Sequence, residues 1–138
     1  MGFINRNEPP AANEIALFLD TVSFSVPQDF LDFYTRTNGA DVSSEEYYAV
    51  LWPLTEMVQL NAGYEVEVYV PGFFLFGSNG GDAAFAMERT TGRIFEMPFI
   101  DMWEGEGILI ADSFDAFLEL MMMENKETVK EILKSLGK

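Results

Sequence analysis

The sequence contains neither cysteine nor histidine. Without a thiol there is no disulfide, and without an imidazole there is no histidine base to activate a serine or cysteine nucleophile. The ordinary zinc, haem and iron–sulfur sites are excluded with them. Any chemistry would have to rest on carboxylates, tyrosine, lysine, arginine or a hard cation. We therefore expect no cofactor and no catalytic centre.

Long apolar segments are also missing, since no run approaches the roughly 20 residues that a membrane-spanning helix needs. Glu8, Pro9 and Pro10 lie where a signal peptide would have its apolar centre. We therefore expect no membrane span and a cytoplasmic location. With 138 residues, of which 49% are hydrophobic, the chain is expected to form one globular domain over residues 1–138.

Basic residues are scarce, with 8 against 23 acidic residues and a net charge of −15. None lies between Arg36 and Arg89, or between Arg93 and Lys126. Such a chain is poorly suited to bind a nucleic-acid backbone or an anionic membrane, because both require clustered Lys and Arg. The charge favours a basic protein partner that is steered electrostatically. The alternative is that the acidity only keeps the protein soluble.

The segment 72–98 organises the rest of the chain. Residues 73–76 form an unbroken apolar run, which is typical of a strand buried on both faces. Two turns that contain glycine separate this run from further strands at residues 82–88 and 93–97. So apolar a meander must be covered by the remaining elements.

The remaining periodic patterns predict helices around this meander. They lie at about residues 10–20, 54–60, 113–122 and 124–137, and a further helix starts at Pro27 and ends at Asn38, with Gly39 as its left-handed cap. Strands are predicted at residues 47–52 and 108–111, and a polar loop at 41–46. In residues 64–70 valines alternate with Glu65, Glu67 and Tyr69, which predicts an edge strand or extended loop with an acidic solvent face.

Several short pieces stand in an order and spacing that is typical of one superfamily. They are residues 26–34 followed by Asn38 and Gly39, then 51–54, 60–61, 73–77 with Gly80 and Gly81, 91–98 and 111–118. Together they resemble the SUKH superfamily, which includes fungal cell-wall-assembly regulators and many bacterial immunity proteins. The resemblance covers about residues 15–122. It departs from the family pattern at Ala40, where a second glycine is common, and in the basic tail after Glu124.

The resemblance implies an α+β fold with a curved, largely antiparallel sheet and helices packed around it. It implies no shared catalytic residues. Many bacterial members resemble antidotes that bind and neutralise toxins, often nucleases, and others resemble adaptors. The recurrent positions of the family imply structural roles in turns, caps and core for Pro27, Asn38, Gly39, Trp52, Gly77, Gly80 and Phe114.

Two groups of acidic residues are candidates for binding a partner. The first surrounds an aromatic residue that could act as an interface anchor, and consists of Asp101, Trp103, Glu104 and Glu106. The alternative is a solvated loop whose Trp is buried in the core. The second group flanks predicted strands and consists of Glu45, Glu46, Glu65 and Glu67. Its alternative role is to protect an edge strand against aggregation. The first group lacks the calcium-loop pattern of ligands, and we expect no metal site.

The leading hypothesis is a non-enzymatic immunity protein that blocks a cationic toxin, such as a nuclease, with an anionic surface that mimics nucleic acid. One alternative is a general adaptor of the cell-wall-regulator type. The other is a carboxylate-based hydrolase, which would need two acids that converge in a deep pocket. The identity of the partner and the oligomeric state stay open.

Overall fold

The computed structural model describes residues 3–122, so the helix predicted at 124–137 lies outside the described residues. The strands are β1 (Phe3–Arg6), β2 (Ala40–Ser43), β3 (Tyr48–Leu51), β4 (Phe73–Ser78), β5 (Ala83–Glu88), β6 (Ile94–Pro98) and β7 (Ile108–Ala111). The helices are α1 (Ala12–Thr21), α2 (Gln28–Tyr34), α3 (Leu54–Gly63), α4 (Val66–Tyr69) and α5 (Phe114–Met122), with a 3₁₀ turn at Glu104–Glu106.

The seven described strands form a single open sheet whose spatial order follows the chain from β1 to β7. Every neighbouring pair is antiparallel. Helices α1 and α2 lie in the connection from β1 to β2, α3 and α4 lie between β3 and β4, and α5 follows β7. The predicted α+β fold with an antiparallel sheet is thus confirmed, as are the three strands of the central meander.

One face of the sheet, here called the helical face, carries the larger core. Phe74 and Phe76 of β4 point to this face and pack in a cluster built from α1, α2, α3 and α5. Aromatic rings meet edge to face, with ring centroids 5.1 Å apart for Phe30 and Phe114 and 5.3 Å apart for Phe76 and Phe117. Such pairs add about 0.5–1.5 kcal/mol each to the burial of apolar surface, so they fix α2 and α5 against the sheet.

The opposite face, here called the α4 face, holds a second buried cluster. Alternation along β4 turns Phe73 and Leu75 to this side. Val66 of α4, Val70 directly after it and Met102 from the segment 99–107 cover them. The sheet centre is therefore buried on both faces, as the unbroken apolar run of β4 predicts.

The prediction of an extended segment at residues 64–70 was wrong, because these residues contain α4. Val66 and Val70 are buried, four residues apart on one side of a helical turn, whereas Val68 is 71% exposed. A strand would have turned all three valines to the same face. Glu65 has a left-handed φ of 55° and interrupts the helical backbone just before α4.

The prediction of a polar loop at residues 41–46 was also wrong in part, since β2 includes Asp41. Ala40 and Val42 are buried while Asp41 is exposed, which is the alternation of a half-buried strand. The serines and glutamates that follow conceal this short pattern. The sequence patterns did not predict β1, which pairs with β2.

Asn38 and Gly39 have a different role from the predicted cap of α2, which already ends at Tyr34. Gly39 does have a positive φ of 88°, but its backbone lies against the end of β3, where a Cβ would come within 2.5 Å of the Leu51 carbonyl oxygen. The Asn38 side-chain oxygen accepts a hydrogen bond of 2.6 Å from the Leu54 N–H. This pair therefore joins the end of β3 to the start of α3.

Candidate binding surface

Helix α4 positions two of the predicted site residues. Burial of Val66 and Val70 against the sheet leaves Glu65 and Glu67 in solvent. Both carboxylates lie at the N-terminal end of this helical turn. The exposed side of α4 also carries apolar surface, since Tyr69 is 53% exposed. The turn thus presents acidic and apolar side chains together.

The segment 99–107 supplies the other acidic group. Met102 is buried in the cluster of the α4 face and fastens the segment to the sheet. Asp101, Glu104 and Glu106 remain exposed beside it. The Trp103 side chain is 56% exposed, and its indole ring lies against Gly105, where it fills the space that a Cβ would need. The indole ring therefore contacts the backbone at Gly105 and is otherwise exposed to solvent.

The two acidic segments lie side by side on the α4 face. The Gly72 N–H, just after α4, donates a hydrogen bond of 3.3 Å to Glu104 Oε1. Below this bond, Met102 shares one buried cluster with Val66 and Val70. Six of the eight predicted site residues thus belong to one surface. We call it the acidic–aromatic surface, and it consists of Tyr64, Glu65, Glu67, Val68, Tyr69, Ile100, Asp101, Trp103, Glu104 and Glu106.

A row of aromatic rings supports this surface. The Tyr64 ring lies between Trp52, at a centroid distance of 6.2 Å, and Phe99, at 4.8 Å. Trp52 follows β3, Tyr64 follows α3 and Phe99 follows β6, so three separate connections meet here. Because ring contacts of this kind restrict side-chain motion, they hold the three connections together as one platform next to Glu65 and Ile100.

Glu45 and Glu46 do not join the acidic–aromatic surface. They are exposed in the turn between β2 and β3. Glu46 lines a groove of about 380 Å³ with Tyr48 and Glu96, whose apolar wall belongs to the helical face. The sequence patterns gave no role to Glu96. Because Phe95 and Met97 lie on the α4 face, alternation along β6 turns Glu96 to the helical face, and only the register of the sheet brings it near Glu46.

A second groove, of about 360 Å³, runs between the end of α1 and α4. Its walls include Val58, Val66 and Phe74, and both Glu65 and Glu67 line it. The sequence patterns missed this groove, because they predicted no helix at residues 66–69. It extends the apolar part of the acidic–aromatic surface toward α1.

Arg89 is the basic residue at this groove, and its guanidinium is engaged within the protein. Nε donates a hydrogen bond of 3.1 Å to the Phe73 carbonyl, and Nη1 donates one of 3.1 Å to Ser23 Oγ. The guanidinium carbon lies 5.3 Å from the centroid of the Phe24 ring. Arg89 thus joins β4 to the connection after α1, and its charge is partly satisfied there.

Three aspartates lie near two arginines in a third groove, lined by Asp29, Asp32, Asp115, Arg6 and Arg36. Asp29 accepts hydrogen bonds from two backbone N–H groups, that of Phe30 at 2.9 Å and that of Asp115 at 3.1 Å. This carboxylate therefore holds the start of α2 against the start of α5.

Two kinds of site are absent from residues 3–122. In that range no group of three or more His, Cys, Asp or Glu side chains is arranged to hold a metal ion. None of the helices in the same range is long and apolar enough to cross a membrane.

Comparison with known proteins agrees with the fold. The family model described as SMI1 / KNR4 family (SUKH-1) matches residues 9–120, which include α1 to α4 and nearly all of α5. A search of curated proteins finds no matching relative. Domains of the matching family are generally non-catalytic and bind other proteins. Because the match extends over most of the sequence, the chain belongs to the SMI1/KNR4 family of the SUKH superfamily.

Proposed function

We propose that this chain is an immunity protein that acts in the cytoplasm, has no catalytic activity and neutralises a cationic toxin. The acidic–aromatic surface covers the basic active site of the toxin and mimics the charge of its nucleic-acid substrate. The observation that carries this proposal is the combination of five carboxylates with exposed aromatic and aliphatic side chains on one platform. Acids alone would only keep the protein soluble, whereas apolar anchors with acids around them fit a protein interface.

The charge of the described chain supports a basic partner. Residues 3–122 contain 20 of the 23 acidic residues but only 4 of the 8 basic ones. Of the described arginines, Arg93 is paired with Glu88 at 3.1 Å, and Arg89 is held by Ser23 and Phe73. Within the described chain, few cations thus oppose the field of the acids. A field of one sign accelerates the encounter with an oppositely charged protein.

Trp103 is the residue we expect to contribute most to affinity. Tryptophan is enriched among interface residues whose truncation costs more than 2 kcal/mol. Its ring rests on Gly105, so little side-chain entropy is lost when a partner covers it. The acids Asp101, Glu104 and Glu106 lie around it and would pair with Lys or Arg of the toxin.

The test begins with the gene next to the one for this chain, which the proposal expects to encode a toxin domain, and that domain then serves as the binding partner. Its affinity is measured for the unmodified chain and for a surface variant, Asp101→Asn with Glu104→Gln and Glu106→Gln. The matched control neutralises three exposed acids outside the surface, Glu8→Gln, Asp41→Asn and Glu119→Gln. Both variants lose the same charge, so only the position differs. We expect the surface variant to bind at least about tenfold more weakly than the control, and the gap to narrow with rising salt.

Two results would contradict the proposal. Equal losses in the two variants would mean that only the overall charge matters, and an affinity that is independent of salt would exclude electrostatic steering. A growth assay gives the functional readout, since the unmodified chain should protect cells that express the toxin. Capture of several unrelated proteins without such protection would favour the adaptor role.

A further inference from the structure

Strand β7 forms one edge of the described sheet and is unusually apolar for an edge. It pairs with β6 and is the last strand in the spatial order of residues 3–122. Ile108 is 62% exposed and Leu109 is 45% exposed. An open edge with apolar side chains can pair with another strand, and proteins normally blunt such edges with charged residues or cover them. The edge therefore needs an explanation.

The register of the sheet shows which backbone groups of β7 point outward. In antiparallel sheets the N–H and C=O of one residue point to the same side, and successive residues alternate. The Glu88 N–H donates to the Arg93 carbonyl at 2.9 Å, so Arg93 and, two residues on, Phe95 face β5. Phe95 lies opposite Leu109 and Glu96 opposite Ile108, before the register shifts by one residue at Ile110. Leu109 therefore directs its N–H and C=O away from β6, into the open edge.

Acidic residues flank this edge at both ends. Glu106 precedes β7, Asp112 follows it, and both are exposed. Glu96 of β6 lies opposite Ile108. A complementary strand would thus have an apolar centre and basic flanks. A second copy of this chain fits poorly, because each copy has a net charge of −15 and antiparallel pairing of two β7 strands would bring Glu106 of each near Asp112 of the other.

We infer that an extended segment of the basic partner adds to β7 as a further strand, with Leu109 supplying the main-chain donor and acceptor. This inference rests on the proposed function for the charge of the partner, and it adds the mode of binding. Glu106 is the last residue of the acidic–aromatic surface and lies two residues before β7, so the two form one continuous interface. In strand addition the main-chain bonds supply affinity and the flanking side chains supply specificity.

The test measures hydrogen exchange of the Leu109 amide by NMR in the full chain. The probe is a synthetic peptide that alternates valine and threonine and has two lysines at each end; its control has glutamates in place of the lysines. We expect the lysine peptide to slow Leu109 exchange by at least about tenfold, because the outward N–H becomes hydrogen-bonded. The glutamate peptide should have little effect.

Two variants separate backbone pairing from side-chain contact. Leu109→Pro removes the outward donor, and proline is tolerated on an edge strand where the N–H faces solvent. Leu109→Thr keeps the N–H and the preference for a strand. The proline variant should lose peptide binding, and the threonine variant should retain it within about threefold. Should the proline variant fail to fold, the exchange measurement on the unmodified chain still decides.

Each other outcome has a defined meaning. Slow Leu109 exchange in the free chain at low concentration would overturn the inference, because another segment of the chain would occupy the edge. Protection that appears only at high concentration would overturn it in favour of a second copy. Equal protection of the Leu109 amide by both peptides would support strand addition but contradict the inference that the added segment is basic. Toxin binding that requires Glu104 but leaves the Leu109 amide unprotected would support the proposed function and overturn this inference.

Discussion

Asn61 is the buried side chain whose removal should reveal most about how this fold is held together. The last described backbone bond from β3 to β4 runs from the Trp52 N–H to the Phe76 carbonyl, at 3.0 Å. Beyond it, Leu75 meets the Asn61 carboxamide instead of a strand. The Leu75 N–H donates to Asn61 Oδ1 at 2.8 Å, and Asn61 Nδ2 donates to the Leu75 carbonyl at 2.8 Å. The carboxamide thus replaces the missing residue of β3.

The cost of losing this side chain follows mainly from the N–H and C=O of Leu75; Asn61 Nδ2 also donates to the Met57 carbonyl at 2.8 Å, one turn earlier in α3. Leu75 is fully buried, and Asn61, which lines the groove between α1 and α4, is only 7% exposed. A buried donor or acceptor without a partner costs about 1–3 kcal/mol. Asn61→Ala leaves both the N–H and the C=O of Leu75 unpaired, so we expect a loss of about 2–6 kcal/mol. Asn61→Leu should lose a similar amount, although it fills the volume.

The measurement is urea denaturation at pH 7, with the slope checked for a common unfolded state. The matched control is Asn13→Ala, an asparagine that is exposed on α1 and whose removal should change stability by less than about 0.5 kcal/mol. If Asn61→Leu were as stable as the unmodified chain, the carboxamide would not be needed to satisfy Leu75, and the reasoning would be refuted.

Two further predictions concern charged residues. Glu65→Gly should raise the free energy of unfolding by about 0.5–1 kcal/mol, because glycine adopts the φ of 55° without strain. Glu67→Gly, which lies within α4, should lower the free energy of unfolding. The urea midpoints of the two variants test both expectations. A hydrogen bond from the Thr91 hydroxyl and, as a smaller effect, the Arg93 guanidinium lower the pKa of Glu88 below its ordinary value of 4.5. Glu88→Gln should therefore be less stable than the unmodified chain at pH 7, and the difference should vanish as the pH falls through the lowered pKa; a constant difference would contradict this.

The central meander could be predicted from the sequence because its signals are local. An apolar run with strand-forming residues and a turn containing glycine are both contained within about ten residues. Gly80 and Gly92, which the sequence patterns placed in the turns, do have positive φ values of 82° and 77°. The start of α5 is local in the same way, since Ser113 Oγ accepts a hydrogen bond of 3.1 Å from the Ala116 N–H.

Helix α4 could not be predicted in this way, because two periodicities fit the same residues. Valines at 66, 68 and 70 satisfy the alternation of a strand, and the pair 66 and 70 equally satisfies one helical turn. The helical turn is favoured over a strand by two features: the left-handed φ of Glu65, and the burial of Val66 and Val70 in the cluster that contains Met102. Both depend on residues distant in the sequence, and so does the contact between Gly72 and Glu104 that brings the two acidic segments together.

Two residues of the acidic–aromatic surface have a backbone conformation that their residue types disfavour. Among residues 3–122, the non-glycine residues with positive φ are Glu65 and Asp101, at 55° and 56°, and both belong to this surface. The left-handed region costs an ordinary residue about 1–2 kcal/mol, and aspartate tolerates it better than glutamate. Glycine at position 65 would be more stable and would carry no charge. If Glu65→Gly stabilises the chain and weakens its binding to the toxin, the carboxylate at this position serves recognition rather than folding.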